Sequence, residues 1–76
     1  MIYTVILWAN GQIMVFDREG QQMPSYQGAD CPELRRRIVR EAPIAAEFFL
    51  GNGNLATIAT QKITRAQFEA EGGRPQ

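Results

Sequence analysis

Two Asn-Gly dipeptides, Asn10-Gly11 and Asn52-Gly53, constrain this chain more than any other feature. A two-residue type I′ hairpin turn needs φ > 0 at both central positions, and Asn-Gly adopts that conformation at least cost. The first dipeptide lies between residues 2–8 and 12–17, runs rich in β-branched and aromatic types that read as strands. A two-residue turn there predicts Trp8 opposite Ile13, Ile6 opposite Val15, Leu7 opposite Met14 and Val5 opposite Phe16. The second dipeptide predicts a strand over 45–50 joined to one over 54–61, with Leu50 facing Leu55 and Phe49 facing Ala56.

Each hairpin is followed by a helical signal. Asp30 is the expected N-cap of the first helix, Glu33 its capping-box partner, Pro32 suits the first turn and Pro43 ends the run, so the helix should span 31–42. At about 100° per residue, Leu34, Ile38, Val39 and Ala42 form the core-facing arc. Arg35 falls inside that arc, and is expected either to snorkel past Leu34 and Ile38 or to meet a carboxylate such as Glu47 or Asp17. A second capping box, Thr64 with Gln67, starts a short helix over 65–71, with Ile63 and Phe68 as its hydrophobic staple. The order is ββαββα, an α+β class: a mostly antiparallel sheet of about four strands, one main helix and one short C-terminal helix. Residues 1–71 read as one domain and 72–76 as a frayed tail.

The chemistry available is narrow. There is no histidine, which removes the usual general base, the commonest metal ligand and any Ser-His or Cys-His nucleophile pair. Cys31 is the single cysteine, so no internal disulfide forms; as a lone thiol without a base it reads as a small filler. Gly51-Asn-Gly-Asn54 lacks the Lys-Ser/Thr of a phosphate loop. The carboxylate pairs Asp17/Glu19 and Glu69/Glu71 lie in polar surroundings that give no reason for acid catalysis. The expectation is a non-enzymatic chain with no metal and no cofactor. The apolar start, Met1 to Ala9, is too short to cross a bilayer and has no basic lead, so a cytoplasmic chain outside the membrane is expected.

Four arginines, Arg35, Arg36, Arg37 and Arg40, occupy six positions of the first helix, in a chain whose formal net charge is +0. Glu33 to Arg37 and Arg37 to Glu41 are i,i+4 pairs that account for Arg37. Arg36 and Arg40 are like charges at that spacing, and are the candidates for binding phosphates or a partner's carboxylates. Nucleic acid is the alternative partner, with Tyr3, Trp8 or Phe16 to stack bases; the neutral overall charge argues against it. The loop over residues 18–29 is long for a compact domain, and Tyr26 and Gln27 are its candidate binding residues, a structural connector being the competing reading.

Both faces of the first hairpin are apolar, whereas two short helices cover only one face of a sheet. The leftover face, carrying Ile6, Trp8, Ile13 and Val15, is expected to be an interface. A chain of this length buries only about 60% of its unfolded surface, so association with a second copy would also add to a small core. The sequence therefore predicts a self-associating interaction module, a homodimer, that displays helix 31–42 and loop 18–29 to a protein partner. The competing expectation is that the loop or the tail covers that face.

Overall fold

The computed structural model describes residues 1–53 and 58–71. Strands β1 (Thr4–Trp8) and β2 (Gln12–Phe16) form the first hairpin; β3 (Gly28–Ala29) pairs with β2; helix α1 (Pro32–Glu41) leads to β4 (Glu47–Gly53), β5 (Ile58–Ile63) and helix α2 (Arg65–Glu71). The sheet has five strands in the order β3-β2-β1-β4-β5, and it is mixed, because β1 and β4 run parallel. This corrects the expectation of about four antiparallel strands. With β3 already on the outer side of β2, the free edge of β1 takes the next strand. The helical crossover delivers that strand in the same direction as β1.

The first hairpin turns one residue differently from expectation. No described residue other than glycine has positive φ, so Asn10 does not enter the conformation that a type I′ turn requires. Only Gly11 does, at φ 89°, and the chain turns through Ala9, Asn10 and Gly11, with the Gly11 N–H donating to the Trp8 carbonyl at 2.9 Å. The Asn10 side chain instead accepts from the Gln12 N–H at 3.0 Å. The register becomes Leu7↔Ile13, Ile6↔Met14, Val5↔Val15 and Thr4↔Phe16. A slip of one residue exchanges the two faces of a strand. Ile13 and Val15 therefore join the core, and Met14 and Phe16 face the other way.

The second dipeptide is not a turn. Asn52 pairs with Ala59 and Gly53 with Ile58 inside the β4–β5 ladder, so β4 runs past the expected end at residue 50. The expected partners Leu55 and Ala56 lie outside the described residues, as does the tail over 72–76.

Both helices cover one face of the sheet. The core there consists of Ile2, Val5, Leu7, Ile13, Val15, Ile38, Ala42, Phe48, Ile63 and Phe68. Phe48 and Phe68 meet at 5.0 Å between ring centroids, tilted by 40°. Burying one such side chain contributes about 1.5–3 kcal/mol. At the start of α2 the capping box forms in both directions: the Thr64 N–H donates to Gln67 Oε1 at 2.8 Å, and the Gln67 N–H to Thr64 Oγ1 at 3.0 Å. The N-cap of α1 is Cys31 rather than Asp30, and it makes no side-chain cap bond. Asp30 is engaged elsewhere, at 2.7 Å from Nη1 of buried Arg35, whose Nε donates to the Glu69 carbonyl at 3.2 Å. The carboxylate that Arg35 meets is thus its own helix's lead-in residue, and the cation ties α1 to α2.

Arg65 makes a second tie. Its Nη1 donates to the carbonyls of Val39 and Ala42 at 2.7 and 2.9 Å, and its Nη2 to that of Pro43 at 2.6 Å. These carbonyls sit at the end of α1, where they lack helical partners and where the helix dipole favours a cation. No described helix is long and apolar enough to cross a membrane.

Candidate interaction surface

Strand alternation sends Val5, Leu7, Ile13, Val15, Phe48 and Ile63 toward the helices. Their neighbours point to the opposite face. By register, Met14, Ile6, Phe49 and Lys62 form one row across β2, β1, β4 and β5, flanked by the row of Gln12, Trp8, Gly51 and Thr60 and by that of Phe16, Thr4 and Glu47. Ile6, Trp8, Met14, Phe16 and Phe49 are half-buried, and none belongs to the core packed under the helices. They form a contiguous apolar patch that includes three aromatic rings. Its rim is polar, and its two charges, Glu47 and Lys62, pair with each other at 3.1 Å.

Trp8 anchors the patch. Its indole lies across Gly51 so closely that a Cβ on residue 51 would sit 2.5 Å from Cε3, and 2.9 Å from a methyl of Ile6. Glycine is what lets the ring lie flat on the sheet. The indole Nε1 is shielded from solvent and has no hydrogen-bond partner among the described residues. A buried donor left unpaired costs about 1–3 kcal/mol.

Of the four expected interface residues, Ile6 and Trp8 are on this face. Ile13 and Val15 are not: they are 1% and 0% exposed, in the core, because of the hairpin slip. Met14, Phe16 and Phe49 stand in their place. Sequence reasoning missed Phe49 because strand 45–50 had no register against β1; the alternation of Phe48 and Phe49 was the available signal.

The loop is held down by hydrogen bonds along its length. Asp17 Oδ1 accepts from the N–H groups of Glu19 and Gln21, both at 2.9 Å, and folds residues 17–21 into a turn. Gln27 Oε1 accepts the Val15 N–H at 3.1 Å, and the Met23 N–H donates to the Val15 carbonyl at 2.8 Å. Met23 and Tyr26 pack against the core side, so the loop does not cover the outer face through them. The Tyr26 hydroxyl donates to Glu41, and the Arg37 guanidinium lies 4.6 Å above the Tyr26 ring while its Nη1 donates to the Ser25 carbonyl at 2.8 Å. Tyr26 and Gln27, the expected binding residues of the loop, contact α1 and β2 respectively.

The Tyr26–Glu41 contact perturbs both groups. The tyrosine hydroxyl, followed by the nearby guanidiniums of Arg37 and Arg40, holds the Glu41 carboxyl below its usual range, against an opposing desolvation. The same hydrogen bond, helped by desolvation and by the Glu41 charge, raises the Tyr26 phenol, with Arg37 acting the other way.

Arg36 and Arg40 point to solvent. Arg40 comes within 3.6 Å of Glu41. Arg36 makes no ion pair with any described residue. Arg37 and Glu41 form the expected i,i+4 pair at 3.8 Å, and the pairing of Glu33 with Arg37 does not occur. Helix α1 with its arginines is on the helix-covered side of the sheet and Trp8 and Phe16 are on the other face, while Tyr3, the third expected stacking ring, is exposed with the Arg18 guanidinium 5.8 Å from its centroid. Cys31 is exposed at the start of α1. Comparison of the chain with protein-family models, with curated proteins and with solved structures finds no match.

Proposed function

We propose that this chain is a non-enzymatic interaction module that associates with a second copy of itself through the outer face of its sheet. The observation that carries the reading is the apolar patch of Ile6, Trp8, Met14, Phe16 and Phe49 on the face opposite both helices. An apolar centre enriched in aromatics and Met, inside a polar rim, is the composition of a protein contact surface. The rim favours a copy of itself, because the face carries one Glu and one Lys and brings no net charge against its own image. Each 100 Å² of apolar surface removed from water there adds about 2.5 kcal/mol before the costs of association. Sedimentation equilibrium at micromolar concentration tests this. The expected mass exceeds that of one chain and falls by half for Met14→Glu; a mass unchanged by that substitution overturns the reading.

A second reading rests on Arg36, an exposed cation without a described partner, one turn from Arg40. In it α1 presents the two guanidiniums to phosphates of a nucleic acid. A mobility-shift assay at low salt with wild type and Arg36→Glu/Arg40→Glu tests it: loss of a measurable affinity in the variant supports the reading, and no binding by wild type eliminates it.

A further inference from the structure

The two edges of the sheet are treated differently by the chain. On the β2 side, β3 pairs through Gln12↔Ala29 and Ile13↔Gly28, the Gln27 side chain accepts the Val15 N–H, the Met23 N–H takes the Val15 carbonyl, and Gln22 bridges to Phe16. The outward backbone groups of β2 are thereby occupied. On the other side, β5 is six residues long and no described residue pairs with its outer edge.

Among the described residues, β5 carries few of the devices that normally blunt such an edge. β5 has no proline and, at six residues, is longer than β1 and β2 and one residue shorter than its neighbour β4. Its single charge, Lys62, leans inward to Glu47 of β4 at 3.1 Å rather than across the edge. Thr60 and Gln61, at its centre, are exposed and uncharged.

We propose that the outer edge of β5 pairs, antiparallel, with β5 of a second copy. An antiparallel strand pair is its own image under a two-fold axis, so equal lengths of the same edge satisfy each other's backbone groups without any further partner. The charge pattern suits a copy. With the axis at Thr60, Lys62 faces Ile58; with the axis at Gln61, it faces Thr60; in neither register do like charges stand directly opposite. Pairing joins two five-stranded sheets into one of ten strands, with the two outer apolar faces side by side. Its axis is perpendicular to the sheet, whereas face-to-face association has its axis parallel to it. The two contacts are therefore compatible and separable.

The experiment uses the full chain in a Cys31→Ser background, with Thr60→Cys and Gln61→Cys introduced one at a time, and Ala45→Cys as a control for collisional cross-linking. Under mild oxidation one of the two β5 variants should form a disulfide-linked dimer much faster than the control, and which one does so locates the axis. Cross-linking of both at the control rate or below overturns the proposal. In parallel, Gln61→Lys, an exposed position that its register partner Leu50 places on the helix side of the sheet, should halve the mass measured by sedimentation equilibrium, and no change in mass overturns it. The face and edge contacts fail independently: Met14→Glu reports on the first alone, and Gln61→Lys and the Gln61→Cys cross-link, on the helix side of the sheet, on the second.

Discussion

The Trp8 ring lies directly over Gly51, with a distance of 2.5 Å between its Cε3 and the position a Cβ on residue 51 would occupy. Gly51→Ala should therefore lift the indole off the sheet, and overpacking of this kind costs about 1–3 kcal/mol. Urea denaturation measures the loss, and the tryptophan emission, from the chain's single Trp, should shift in the folded state.

Arg65 is expected to matter more for stability than its exposed neighbours on α2. Removing it leaves the carbonyls of Val39, Ala42 and Pro43 without the donor that now holds them. Arg65→Ala should cost about 2–4 kcal/mol, since hydrogen bonds to charged groups contribute more than neutral ones. Arg65→Lys should recover only part, because an ammonium lacks the planar fork that reaches three acceptors at once. Midpoints in urea rank the three proteins; equal midpoints for wild type and the Lys variant would contradict the role of the fork.

The Asp30–Arg35 pair is buried, each side chain 10% exposed, whereas Arg40 reaches Glu41 from a position 70% exposed. Breaking a buried pair strands a charge, so Asp30→Asn should cost about 3–5 kcal/mol. Arg40→Ala should cost less than about 1 kcal/mol. Chemical denaturation of the two variants side by side checks the contrast.

The Tyr26–Glu41 bond makes stability depend on pH at both extremes. Glu41 is held below its unfolded-state pKa, so its contribution is present above that value and is lost as the pH falls through the folded one. Tyr26 is held above its unfolded-state pKa, so its contribution is present below that value and is lost as the pH rises through the folded one. Wild type should therefore lose stability more steeply than Glu41→Gln on acidification from neutral pH, and more steeply than Tyr26→Phe on the alkaline side. Parallel stability profiles for wild type and Glu41→Gln between pH 7 and pH 3 would contradict the first statement.

The parts of this structure that were legible in the sequence are those fixed by neighbours in the chain. The α2 capping box needs only Thr64 and Gln67 three positions apart, and both of its bonds form as expected. Helix α1 is bounded by Pro32 and Pro43, whose ring chemistry acts locally. The hairpin register was not legible, because it depends on whether Asn10 accepts positive φ, and the residue instead uses its side chain to hold Gln12. The glycine-rich run after Leu50 offers no punctuation that says where a strand ends; pairing with β1 reaches Gly51, and pairing with β5 carries β4 on through Gly53. The parallel β1–β4 contact and the reach of Arg65 to α1 are long-range relationships with no local signature. For the candidate surface, Ile6 and Trp8 were readable from composition and alternation on β1. Met14 and Phe16 were exchanged for Ile13 and Val15 by a single-residue error in the turn.

The Gln27 side chain and the two-residue β3 have a further consequence for how many copies one sheet can hold. Among the described residues, the outward groups of β2 are taken by β3 and the loop, which leaves β5 as the long edge open to a further strand. Growth by strand addition is therefore self-terminating: once a copy is added at β5, the composite sheet ends on both sides in a closed β2–β3 border. On the proposed pairing, an aggregation-prone edge would become a stoichiometric one, and side-by-side assembly would end at two copies.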